Sequence, residues 1–148
     1  NPACGICPWR NPCAARIAGI QTELPRKLTK SAKPIRTGTV WIARDSTGAW
    51  LVERRPDKGL LGGMLGFPGT PWDGAGGPAP ASAAWQTAGE VRHTFTHFHL
   101  ILSVETALLP ATNPERGYLL PHGDFRPADL PTVMRKAYDV ASAFLAAV

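Results

Sequence analysis

Hydrophobic and polar positions divide the chain near residue 37. Residues 1–18 hold Cys4, Cys7 and Cys13 among Pro2, Pro8 and Pro12, and show no sustained period. Residues 19–36 are polar and basic, are interrupted by Pro25 and Pro34, and read as an extended linker. Beyond Thr37 the pattern becomes strand-like. Thr39 to Ala43 and Ala49 to Val52 are short apolar runs around the turn cluster Asp45-Ser46-Thr47-Gly48, which predicts a hairpin. Gly59 to Gly69 carries too many glycines, with Pro68, for a long regular element, although its apolar residues suit a core. Residues 70–80 read as a loop, and Ala81 to Thr87 as at most a two-turn helix. Glu90 to His93 and Phe98 to Leu109 read as strands on either side of a break at Phe95-Thr96-His97. In the second strand Leu100, Leu102 and Val104 alternate with His99, Ile101 and Ser103. Both faces thus have apolar content, as in a strand covered on both sides. Tyr118-Leu119-Leu120 reads as a short strand. The chain closes on a helix from about Leu130, with Pro131 in its first turn, where a missing N–H costs nothing. Val133, Met134, Ala137, Val140, Ala141, Phe144 and Leu145 make one apolar stripe at helical spacing.

These elements predict an α+β sandwich over residues 37–148, behind an irregular Cys-rich segment and a linker. A length of 148 residues fits one domain with an appendage. No apolar run approaches the ~20 residues of a membrane-spanning helix, and no signal-peptide pattern opens the chain. The expectation is a soluble, cytoplasmic protein without a membrane partner. Because the chain starts at Asn1 on part of a cysteine motif, it reads as a piece of a longer protein.

Charge sharpens the division. Residues 1–36 hold seven basic side chains against Glu23 alone, whereas residues 37–148 hold nine basic and ten acidic ones. A basic arm on a near-neutral domain fits a nucleic-acid neighbour, and it equally fits a solubilising linker. Three cysteines in thirteen residues make a poor disulfide framework. Cys4-x2-Cys7, by contrast, is a spacing that lets two thiolates reach one metal. Tetrahedral zinc or an iron–sulfur cluster needs four such ligands, and Cys13 brings the number only to three.

The order of elements resembles the Nudix (MutT-like) fold, an α/β/α sandwich around a mixed sheet, and Gly66-Phe67-Pro68-Gly69 resembles the segment before that family's catalytic box. In a working Nudix hydrolase, glutamates of the box bind the divalent cations that polarise a diphosphate. Such hard cations need oxygen ligands, usually several carboxylates. Between Lys58 and Gly89 this chain has one acid, Asp73. A standalone nucleotide hydrolase is therefore disfavoured, and a catalytically dead interaction module stands as a further alternative.

Arg92-His93-Thr94-Phe95-Thr96-His97-Phe98-His99 resembles the lesion-reading hairpin of MutY-type A/G-specific adenine DNA glycosylases. Cys4-x2-Cys7-x5-Cys13 resembles the last three ligands of that family's cluster motif, and Leu130 to Lys136 resembles its final helix. The resemblance covers essentially the whole chain. It implies that residues 1–18 are a remnant of a [4Fe-4S] cluster loop, with Cys4, Cys7 and Cys13 as metal ligands and the fourth cysteine missing. Residues 19–36 become an interdomain linker and residues 37–148 a Nudix-like recognition domain. It further implies a DNA-repair role in bacterial base excision. The partners would be double-stranded DNA with 8-oxoguanine opposite adenine, and the N-terminal catalytic domain of the same protein. No residue here matches the family's catalytic carboxylates, so the chain alone is expected to be inactive and to hold no stable cluster. Phe95, Thr96 and His97 would contact lesion or DNA, although family members commonly have Ser where this chain has Thr96. Oxidation turns guanine N7 into an N–H donor and adds an acceptor oxygen at C8. A hydroxyl or carbonyl accepting from the first, and a backbone N–H donating to the second, would be mismatched by guanine. Such a pair at a base edge discriminates by ~1–3 kcal/mol. Phe95 would wedge against a base or sugar. The alternative reading of the octapeptide is a plain turn, with Phe95 and Phe98 in the core and His97 in solvent.

Overall fold

The Asp45 carboxylate organises the first reversal of the chain. It accepts the N–H groups of Thr47 and Ala49 at 2.9 Å each and the Thr47 hydroxyl at 2.7 Å. An Asp at this position of a turn satisfies backbone donors that the strands cannot reach. β1 (Ile35–Arg44) and β2 (Trp50–Arg54) leave this turn antiparallel, as the hairpin pattern predicts. A computed structural model of the protein describes residues 1–110 and 113–147, and divides them into two compact units, Asn1–Ala32 and Lys33–Val148.

The second unit is built on a mixed sheet in the order β3-β2-β1-β5-β4, with β6 (Tyr118–Leu120) pairing β2. β3 is the short Leu65–Gly66, β4 is Gln86–Thr94 and β5 is His99–Leu108. β4 and β5 form the hairpin expected around the Phe95-Thr96-His97 break, with Thr94 opposite His99 as the last pair. β1 starts sooner than the apolar run at Thr39, because Ile35 to Arg44 pair in parallel with His99 to Leu108. Local pattern did not show this pairing; its partner is a distant strand.

Alternation along the strands makes two cores. On one face Ile42, Val52, Leu100, Leu102 and Val104 are fully buried beneath Val133, Met134, Ala137 and Ala141 of α2 (Thr132–Ala147; α1 is a single turn, Ala14–Ile17, in the first unit). On the other, Ala43, Leu51, Ala107 and Leu109 pack with Ala81, Ala83 and Trp85. The expected short helix at Ala81–Thr87 is absent. Ala81 to Trp85 is irregular and Gln86 already belongs to β4. Two turns of helix are too few to persist without help. Here the competing bonds win: Trp85 Nε1 donates back to the Ala81 carbonyl at 3.0 Å, and the Thr87 hydroxyl reaches the Glu105 carboxylate on β5 at 2.8 Å. Trp41 and Trp50 are core residues, 6% and 4% exposed, as their place in apolar runs predicts.

In the first unit, Cys4 lies in a single 3-10 turn (Cys4–Ile6), Cys7 follows it, and Cys13 precedes α1. No helix among the described residues is long and apolar enough to cross a membrane.

Candidate lesion-recognition hairpin

The turn between β4 and β5 is closed by one backbone bond, from Phe95 N–H to the Phe98 carbonyl at 2.9 Å. Thr96 and His97 are exposed at its tip, Phe98 is buried and Phe95 is half-buried. The two phenylalanines thus behave differently from the two residues between them. The Phe95 ring lies 4.9 Å from Phe98, 4.6 Å from His93 and 5.7 Å from Trp72, between centroids. Such aromatic pairs contribute about 0.5–1.5 kcal/mol each beyond the area they bury. The resemblance implies that Phe95 contacts DNA with Thr96 and His97, whereas the alternative reading puts Phe95 and Phe98 in the core. In the folded chain its ring is turned inward and anchors the turn that presents the other two.

Trp72 is the residue that pattern reading missed. It comes from the Gly/Pro loop and stacks on Phe95 across the gap. Its seat depends on Gly38 of β1, where an added Cβ would come within 2.9 Å of Trp72 Cδ1. The Arg55 guanidinium lies over its ring, 4.7 Å from the centroid. The usable signal was an isolated tryptophan in an otherwise small-residue loop.

Cations gather around the turn. Lys33 Nζ donates to the Phe95 carbonyl at 2.9 Å, and the Arg36 guanidinium covers the Phe98 ring at 4.5 Å. Further back along the hairpin, Lys136 Nζ donates to the Arg92 carbonyl at 3.4 Å, while Arg92 itself is paired with Glu90 at 2.8 Å. Lys33 and Arg36 belong to the stretch that reads as linker, yet they lie against the hairpin. Thr94 Oγ1 and His99 Nδ1 share a hydrogen bond of 2.8 Å across the last strand pair. His93 is held below the ordinary histidine value, first by burial and then by the charge of Lys136.

Beside the hairpin lies a cleft of about 260 Å³, bordered by Glu53, Arg55, Phe67, Thr70, Trp72 and Arg116. Gly69 lets its floor close on β1: an added Cβ there would meet the Thr39 carbonyl at 2.8 Å. Thr70 N–H donates to that same carbonyl and Thr39 N–H to Thr70 Oγ1, both at 2.9 Å. Glu53, the carboxylate of the cleft, is bound by Arg116 at 2.8 Å. Asp73 is turned to its own loop, accepting Ala75 N–H at 2.9 Å. Among the described residues no three His, Cys, Asp or Glu side chains are grouped to hold a metal ion. This applies to the cleft, to His93 and His99, and equally to Cys4, Cys7 and Cys13. Cys4, Cys7 and Cys13 are thus not brought together as one ligand set among the described residues.

The NUDIX domain family profile matches residues 39–140. Human adenine DNA glycosylase is 30% identical over 142 residues, an alignment covering 80% of this chain and 26% of that protein. The chain thus spans only part of the length of this relative. The C-terminal domain of mouse MUTYH, solved in complex with human PCNA, superposes with a TM-score of 0.55 at 25% identity, over 71% of this chain and 86% of that one. The MutT protein of Methanosarcina mazei shares the fold, with a TM-score of 0.56 at 16% identity over 80% of this chain and 98% of its own. The profile match over residues 39–140, together with the shared sheet topology, shows that the chain belongs to the NUDIX domain family.

Proposed function

We propose that this chain is the 8-oxoguanine-recognition domain of an adenine DNA glycosylase, with Thr96 and His97 as the lesion-reading residues. The observation that carries the reading is their exposure at the tip of a turn whose flanking rings are anchored inward and whose surroundings are cationic. Phosphates would meet the cations, which position without reading sequence, while the tip supplies the donor and acceptor for the base edge. The Thr96 hydroxyl suits the N7–H of 8-oxoguanine as acceptor, and the adjoining backbone N–H suits the C8 oxygen as donor. Phe95 holds the turn, and a wedge role requires its ring to leave Trp72. In the whole enzyme, adenine would be flipped into the separate catalytic domain, at a cost of a few kcal/mol that a mismatch lowers. The partner is duplex DNA with an 8-oxoguanine:adenine pair, and the working location is with the DNA, in the cytoplasm if the source is bacterial. Nucleotide hydrolysis is disfavoured by the missing carboxylates.

One observation favours a second reading, that of a protein-docking module: the mouse relative was solved with PCNA. Titrating the chain with fluorescent duplexes containing 8-oxoguanine:adenine or guanine:adenine separates the two. Lesion recognition requires tighter binding to the first, and equal affinity for both duplexes would leave only the docking role.

A further inference from the structure

We infer that Lys33 is a specificity-positioning residue: its ammonium fixes the Phe95–Thr96 peptide plane and so aims the Thr96 N–H at the lesion. The inference rests on the proposed lesion-reading role of the turn. The closing bond of the turn engages the Phe95 N–H and the Phe98 carbonyl, leaving the Phe95 carbonyl outside the strand ladder. Lys33 Nζ takes that carbonyl at 2.9 Å from 62 residues away. A charged donor makes a shorter, stronger bond than a neutral one. The carbonyl belongs to the same planar unit as the Thr96 N–H, and the bond between Phe95 and Thr96 is trans. In a trans peptide, carbonyl and N–H point in opposite directions. Holding the oxygen therefore holds the N–H, and polarising the oxygen makes the N–H a better donor.

The backbone supports the same geometry. Lys33 precedes Pro34, which restricts it to extended conformations. The Pro34 carbonyl accepts His99 N–H at 2.9 Å, and Ile35 then enters register with His99. Lys33 is thus delivered beside the turn by a strand that the core holds in place, while its side chain stays exposed. The end of the basic linker acts on what the turn presents as well as on the charge around it.

The test compares the wild-type chain with Lys33→Met, which keeps the aliphatic stem without the donor, and with Lys33→Arg, which restores a charged donor. Carbonyl 13C and amide 15N signals of Phe95 and Thr96 are recorded on the free chain. Affinities for 8-oxoguanine:adenine and guanine:adenine duplexes are measured across a salt series. Lys33→Met should shift the Phe95 carbonyl and Thr96 amide signals and lower the ratio of the two affinities by about two- to fivefold, the range of an exposed charged contact. Lys33→Arg should recover both. Equal loss for the two duplexes, with the salt slope reduced by about one, would make Lys33 a phosphate contact and overturn the proposal. Unmoved signals at Phe95 and Thr96 would also overturn it, as would shifted signals with an unchanged ratio. If the wild-type chain does not distinguish the duplexes, the lesion-reading role falls by that result, and the specificity assigned to Lys33 falls with it.

Discussion

The cleft and the turn share Trp72 as a neighbour and differ in almost everything else. The cleft is a concave site whose carboxylate, Glu53, is neutralised by Arg116, beside a loop where a hydrolase of this fold needs several acids. The turn is convex, and it exposes a hydroxyl and an imidazole on a base of packed rings. In one region Phe67 is part of the core and, among the described residues, no set of three metal-binding side chains is grouped. In the other, the residues proposed for recognition, Thr96 and His97, are exposed and lie outside the core. On the proposed reading the same scaffold serves by what it projects, and its enclosed site is no guide to that function.

This contrast can be broken most forcefully at Phe67, which is 3% exposed and borders the cleft. Phe67→Ala should cost about 3–5 kcal/mol of stability, as removal of a core ring does. Urea unfolding measures this, and a loss below about 1 kcal/mol would show that the cleft wall is not part of the core. Duplex preference in the remaining folded fraction should persist.

The converse change is Thr96→Ala with His97→Ala. Stability should move by no more than about 0.5 kcal/mol, as at exposed surface positions. Each hydrogen bond lost to the lesion is worth ~0.5–1.5 kcal/mol, so the preference for 8-oxoguanine over guanine opposite adenine should fall several-fold to about a hundredfold. Binding to undamaged duplex and its salt dependence should persist. An unfolded double variant, or an unchanged affinity ratio, would end the assignment of these two residues.

A smaller effect comes from His93, which packs against Phe95. Its proton affinity is lowered in the folded chain, so folding favours the neutral ring. The associated stability is complete above the unfolded histidine value of about 6.5 and is lost as pH falls through the lower folded value. The stability difference between wild type and His93→Gln should therefore shrink on acidification from pH 7. A difference that grows instead would reverse the sign argued here.

The smallest expected effect is none at all. Mg2+ with 8-oxo-dGTP or nucleoside diphosphate derivatives should yield no phosphate release above background, because the acid-poor stretch from Lys58 to Gly89 lacks the necessary ligands. Turnover like that of a working hydrolase would restore the cleft as the active region.

Legibility followed the range of the interactions. The Asp45–Gly48 turn, the break at Phe95-Thr96-His97, the short strand at Tyr118 and the closing helix are local patterns, and each is found, the helix starting at Thr132 just after Pro131 and not with Pro131 in its first turn. The short helix at Ala81–Thr87 was a local expectation overruled by a bond from Thr87 to Glu105 on the neighbouring strand. The inward turn of Phe95 depends on Trp72, and the place of Lys33 on a carbonyl 62 residues away. Neither leaves a period or a spacing to read. The loss of the Nudix acids, by contrast, was plain in the sequence, because a missing ligand set needs no geometry to be noticed.

The parallel pairing of β1 with β5 also sets an order of events. Every paired residue in it is separated from its partner by 64 positions, from Ile35 and His99 to Arg44 and Leu108. Pairings of this kind close long loops before any contact rewards them, and they slow folding relative to local hairpins. β4 and β5 can meet across their short turn in about 1–10 μs, the ordinary time for a hairpin. The linker end carrying Lys33 arrives only when β1 docks. On this order the β4–β5 pairing forms first and Lys33, Arg36 and the Gly38 seat of Trp72 arrive afterwards, so a nascent or partly unfolded chain would display the tip before its peptide plane and its charge environment are set.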